Sequence, residues 1–70
     1  MQVDEIKKMI EAGMAGSQVS VSGDGAHFEA VVISEAFDGK GMLQQHRMVY
    51  ATLGDNIENA AIHALSIKTY

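Results

Sequence analysis

The chain has 70 residues, no cysteine and a formal net charge of −4. We therefore expect one domain, residues 1–70, that has no disulfide and lies near the lower size limit for a stable core. The five basic residues are scattered, and nucleic-acid binding is unfavourable because phosphate neutralisation needs clustered Lys and Arg. Nothing resembles a signal peptide, and no apolar run approaches the roughly 20 residues that cross a bilayer, so we expect a soluble, cytoplasmic protein without membrane contact.

The first segment has the pattern of an amphipathic helix. Val3, Ile6 and Ile10 recur at the spacing of one helix face, with acidic residues in the first turn where the helix dipole favours them. Gly13 and Gly16 are expected to end this helix.

A β-hairpin is predicted next. Residues 18–22 alternate between apolar and small polar side chains, which is typical of a half-buried strand. Gly23, Asp24 and Gly25 form a turn signal, and residues 28–33 are rich in β-branched side chains.

The second half predicts a loop, two helices and a strand. Residues 37–41 are the loop, and residues 42–53 have helical periodicity, with Gly54 suited to the position after the helix. Asp55 followed by Glu58 indicates the start of a short third helix. The last strand is expected over residues 62–68. The predicted stripe of the 42–53 helix consists of Met42, His46, Val49 and Leu53.

The element order is α-β-β-α-α-β, which predicts an α+β fold with helices packed against a three-stranded sheet. A final strand reached through two helices suits a parallel crossover. If it pairs parallel to the 28–33 strand, His27 and His63 share one end of the sheet. Antiparallel pairing would place them at opposite ends, roughly 20 Å apart.

Three histidines are the candidate ligands of a chain without cysteine. His63 is either a partly buried strand residue bonded to backbone or a metal ligand, since neutral imidazole suits zinc, iron and copper. His27 is either a solvated loop residue or a ligand that Asp24 could orient or protonate. His46, on the apolar stripe, fits packing or a capping hydrogen bond better. Their spacings match no zinc motif, and no nucleophile motif is present, so we expect no enzyme and a metal site that borrows ligands from another molecule.

Three segments together resemble the BolA family over essentially the whole chain. Residues 21–28 (VSGDGAHF) resemble the first family signature. Residues 37–40 (FDGK) and 46–50 (HRMVY) resemble the central one, and residues 62–69 (IHALSIKT) the C-terminal one. The chain departs from the pattern at Gln45-His46, where the family usually has a basic pair such as Arg-His.

The resemblance implies a class II KH-like fold with a mixed sheet, and a partnership with monothiol glutaredoxins. In such complexes a [2Fe-2S] cluster is shared between the BolA-like protein on one side and the glutaredoxin cysteine with a glutathione thiol on the other. The histidine of the C-terminal signature, here His63, is the implied ligand. In the branch with a histidine in the hairpin loop, His27 is the second. The resemblance therefore implies an adaptor for iron–sulfur cluster trafficking or iron regulation.

The alternative is a nucleic-acid-binding transcriptional regulator, which the KH-like fold also suggests. It would use Lys40, Arg47 and Lys68 around the central loop and the second long helix. The net charge and the missing basic residue at Gln45 weigh against it. For the apo protein we expect a monomer or a weak dimer.

Overall fold

The computed structural model describes residues 2–24, 26–54 and 65–70. Its two helices and three strands form an α+β fold, as predicted, and a short 3₁₀ helix precedes the second α-helix. The predicted third helix from Asp55, the first residues of the last predicted strand and His63 lie outside the described residues. The elements are α1 (Val3–Gly13), β1 (Gln18–Gly23), β2 (Phe28–Ile33), the 3₁₀ helix (Glu35–Phe37), α2 (Met42–Leu53) and β3 (Leu65–Thr69).

The sheet is mixed, with strand order β1-β2-β3. β1 and β2 form the predicted antiparallel hairpin, in which Gly23 lies opposite Phe28. β2 and β3 are parallel, and Phe28 also lies opposite Leu65. The parallel alternative of the sequence analysis is therefore correct, whereas the class II KH-like assignment stays a prediction.

Both helices lie on one face of the sheet. Phe28, Ala30 and Val32 of β2 alternate inward with the period of two residues that a strand imposes, and all three are buried. Ile6 and Ile10 of α1 are fully buried against this face, as their spacing predicted. The rest of the core consists of Met14, Phe37, Val49, Leu53, Leu65 and Ile67.

α1 and α2 approach closely at Gly13. A Cβ built on this residue would lie 2.6 Å from Cγ2 of Thr52, which is closer than carbon atoms pack. Gly13 was predicted only as a helix terminator. It is the last residue of α1, and the absence of its side chain also allows α1 to contact α2.

The predicted apolar stripe of α2 is correct only in its second half. Val49 and Leu53 are buried and His46 is half-buried, but Met42 is 71% exposed. The prediction of Met42 on a core-facing stripe is therefore wrong. Periodicity indicates which face of a helix is apolar, but it does not indicate how far along the helix a packing partner extends.

Candidate functional site

An open depression of about 580 Å³ lies at the end of the sheet where β1 ends and β2 and β3 begin, and we call this the hairpin end. His27, the residue before β2, is exposed there. Its polar neighbours come from all three strands and from the hairpin turn. The described lining residues are Ser22, Gly23, Asp24, His27, Phe28, Glu29, Leu65 and Ser66.

Asp24 holds the backbone beside His27. Its Oδ1 accepts the backbone N–H of His27 at 2.8 Å and that of Ala26 at 2.9 Å, while its own N–H donates to the carbonyl of His27 at 3.1 Å. These bonds form an Asx turn, in which a short carboxylate replaces backbone acceptors. The turn fixes the main chain from which the imidazole projects.

The same bonds lower the pKa of Asp24 below its ordinary value of 3.8, first through the N–H of His27 and then through that of Ala26. Because the pKa is lower in the folded state, these bonds contribute to the free energy of unfolding above the ordinary pKa. This contribution is lost as the pH falls through the folded-state pKa. In an NMR titration, the amide protons of His27 and Ala26 should therefore shift together with a midpoint below pH 3.8.

The control for this titration is Asp24→Asn, whose amide oxygen still accepts hydrogen bonds but does not titrate in this range. In that variant, the acid-induced shift of both amides should disappear. A midpoint above 3.8 in the unmodified chain would contradict the assigned cause.

Gly23 is required for the close approach of β1 to the loop. A Cβ at this position would lie 2.5 Å from the carbonyl oxygen of His27 and 2.7 Å from Cδ1 of Phe28. Because the first atom belongs to the backbone, a side chain could be accommodated only by moving the segment that carries His27. Sequence analysis predicted Gly23 as part of a turn, but not this contact.

The three histidines are placed differently. His27 lies at the hairpin end, His46 lies half-buried on α2, and His63 is outside the described residues. Among the described residues, no three His, Asp or Glu side chains are grouped so that they could hold a metal ion. His27 with its described neighbours would therefore need ligands from elsewhere.

The three cations of the nucleic-acid alternative do not share one face. Lys68 lies on the sheet face opposite the helices, where its Nζ is 3.2 Å from Oε1 of Glu29. Arg47 is an exposed residue of α2, and Lys40 is half-buried in the loop before that helix. The structure thus places Lys68 apart from Arg47.

Gln45, at which the chain departs from the signature it otherwise resembles, ties the central loop to β3. Its Nε2 donates to the carbonyls of Lys40 and Phe37, at 2.6 and 3.3 Å. Its Oε1 accepts a hydrogen bond from the hydroxyl of Thr69. The amide therefore has a structural role that sequence analysis missed, because its partners are backbone carbonyls and a distant strand.

Neither α-helix in the described part of the chain is long and apolar enough to cross a bilayer.

Comparison with known proteins finds similarity to one family. The family model described as BolA-like protein matches residues 5–70. The acid stress protein IbaG of Escherichia coli is 37% identical over 70 residues, covering all of this chain and 83% of that protein.

Two further similarities bear on structure and function. The structure of a bolA protein homologue from Coxiella burnetii has 46% sequence identity and a TM-score of 0.85, and the match covers 100% of this chain and 90% of that one. The DNA-binding transcriptional regulator BolA of E. coli is 39% identical over 49 residues, which are 70% of this chain and 46% of that protein.

Proposed function

The chain belongs to the BolA-like protein family, and from this premise we propose that it is an adaptor that binds a monothiol glutaredoxin and co-ligates a shared [2Fe-2S] cluster. His27 and His63 supply two nitrogen ligands. The glutaredoxin cysteine and the thiol of bound glutathione supply the other two. The adaptor serves iron–sulfur cluster trafficking or iron regulation, and it is not itself an enzyme.

The observation that carries the proposal is the parallel pairing of β2 and β3. Phe28 lies opposite Leu65, so His27, the residue before β2, and Leu65, the first residue of β3, lie at the same end of the sheet. His63 precedes Leu65 by two residues, and two residues span at most about 7 Å. Antiparallel pairing would have separated the two candidate ligands by the length of a strand.

The chemistry of the donor set also supports the proposal. Neutral imidazole is an established ligand of iron, and in Rieske centres two histidines ligate one iron of a [2Fe-2S] cluster. Such a cluster would supply electron storage at a raised potential relative to all-thiolate ligation. The residues of this chain do three things: they present the donors, fix the loop through Asp24, and leave an open depression of about 580 Å³ for the partner.

The decisive experiment mixes the purified protein with a cluster-loaded monothiol glutaredoxin and records visible absorption and circular dichroism. Replacement of thiolate ligation by imidazole should change both spectra, with saturation at one copy of this chain per cluster. Unchanged spectra over a full titration would reject the proposal.

The name of the E. coli regulator favours a second candidate function, that of a DNA-binding transcriptional regulator. With few exposed cations and a net charge of −4, we expect at most weak binding. Titration with duplex DNA at two salt concentrations is the test. A steep loss of affinity with salt would show that several phosphates are neutralised and would support the regulator.

A further inference from the structure

β1 is an edge strand, and its outer edge has no partner strand in the part of the chain that the structure describes. Natural proteins usually protect such edges with charged side chains, proline or bulges, because the free N–H and C=O groups accept another strand. β1 has the sequence QVSVSG, with neither a charge nor a proline, and its register with β2 is continuous over all six residues. Within the described residues, the edge therefore has none of these three protections.

The direction of the free backbone groups follows from the hydrogen bonds of β2. The carbonyl of Val32 accepts the N–H of Tyr70 and the N–H of Ser34 donates to the carbonyl of Tyr70, both at 3.0 Å, so even-numbered residues of β2 face β3. Odd-numbered residues of β2 then face β1, where Val31 pairs with Ser20. The alternate residues of β1 point away from the sheet. They are Val19, Val21 and Gly23.

We propose that β1 is a self-association surface, on which a second copy of this chain adds its own β1 antiparallel about a two-fold axis. A continuous six-stranded sheet with order β3-β2-β1-β1-β2-β3 results. This inference goes beyond the proposed function and does not depend on it.

The register of the paired strands follows from two requirements. Antiparallel pairing about a two-fold axis must keep the valines of both copies on the helix-covered face, and hydrogen bonds must form between outward-directed residues. Pairing Val21 with Val21 of the second copy meets both requirements and uses every outward-directed residue. The cross-pairs are then Val19 with Gly23 and Ser20 with Ser22.

The strand is complementary to itself, because its outward-directed residues are symmetric about Val21 and it carries no charged side chain that would oppose a second copy. Val19 and Val21 are only half-buried beneath α1, and pairing would cover more of their apolar surface. Glu29, the acidic residue opposite Ser22, is ion-paired with Lys68 at 3.2 Å. Pairing of the two β1 strands therefore brings no like charges into contact. The two chains, each of net charge −4, still repel each other as a whole, and salt screens this repulsion.

The absence of native cysteine allows a clean crosslinking test with the full chain. In the proposed register, two copies of Val21→Cys have Cα atoms about 5.5 Å apart, within disulfide range. The Cα atoms of two Ser20→Cys copies are offset by two residues, roughly 8 Å apart, beyond the range of a disulfide. Under mild oxidation, Val21→Cys should form a covalent dimer many times faster than Ser20→Cys.

Sedimentation equilibrium of the unmodified chain supplies the second measurement. The mean mass should rise from 7.5 kDa towards twice that value between micromolar and millimolar concentrations, and more readily at higher salt. Val21→Pro removes an outward-directed N–H and no bond to β2, so it should remain folded by circular dichroism and lose the association.

Three outcomes would overturn the proposal. They are a constant mass of 7.5 kDa up to millimolar concentration, equal crosslinking of the two cysteine variants, or undiminished association of a folded Val21→Pro chain. A constant mass of 7.5 kDa, together with binding of an extended peptide along the edge of β1, would indicate that a different protein adds a strand there instead of a second copy.

Discussion

Replacing His63 with alanine is expected to abolish most of the spectral change that follows mixing with a cluster-loaded monothiol glutaredoxin. Alanine offers no donor, so one iron would lose a protein ligand, and water or solvent thiol would replace it. Changes outside the ligand shell already cost about 10–100-fold in metal affinity, and loss of a ligand should cost more. The measurement is a visible circular dichroism titration of each variant.

The matched control is His46→Ala. It also replaces one histidine with alanine, but His46 lies half-buried on α2 and is not among the described residues that line the hairpin end. This variant should retain the spectral change, and a far-ultraviolet spectrum should verify that it is folded. His27→Ala should alter the spectrum, because the second nitrogen ligand would be replaced.

The histidine series separates the competing explanations. An unchanged spectrum for His63→Ala would reject its assignment as a ligand. Equal losses in the His63 and His46 variants would instead indicate a general loss of structure. A loss confined to His63→Ala, with an altered spectrum for His27→Ala, is the pattern expected if both histidines are ligands.

Local patterns in the sequence were sufficient to predict the bounds of most helices and strands. Residues 28–33 and 42–53 were predicted as the strand and helix that the structure shows, because β-branched runs and helical periodicity are local properties. The direction of β3 was left open. Strand direction depends on how the chain returns to the sheet, and no short segment encodes it.

The candidate site was predicted less completely. The hairpin turn correctly placed His27 at its end of the sheet. The sequence left open whether Asp24 orients or protonates the imidazole, and in the structure its carboxylate accepts two backbone N–H groups. An aspartate within a Gly-Asp-Gly turn was a usable signal for this role, since Asx turns bond the main chain two or three residues ahead. Gln45 gave no such signal, because its partner Thr69 is 24 residues away.

Leu53→Ala is expected to cost most of the stability of this domain, whereas Leu43→Ala should cost almost none. The two leucines lie in the same helix, α2, but Leu53 is 1% exposed and Leu43 is 66% exposed. Removing a buried leucine side chain costs about 2–5 kcal/mol, through lost apolar burial and the cavity left behind. A single core of this size rarely supplies more than about 3–5 kcal/mol in total.

Urea and thermal unfolding, each followed by circular dichroism, measure both variants in the same buffer. Leu53→Ala should lower the thermal midpoint by at least about 8 °C, given roughly 4–8 °C per kcal/mol for a domain of this length. Leu43→Ala should stay within about 0.5 kcal/mol of the unmodified chain, as is usual for exposed positions. Similar losses for the two leucines would mean that α2 does not pack on the sheet as described.

The leucine pair also separates loss of fold from loss of ligand. Leu53→Ala leaves both candidate ligands in place, so its spectral change with the glutaredoxin should decrease only in proportion to its unfolded fraction. Cooling towards the temperature of maximum stability should restore that change as folded chain is recovered. No temperature should restore it in His63→Ala, because that variant lacks the donor atom itself.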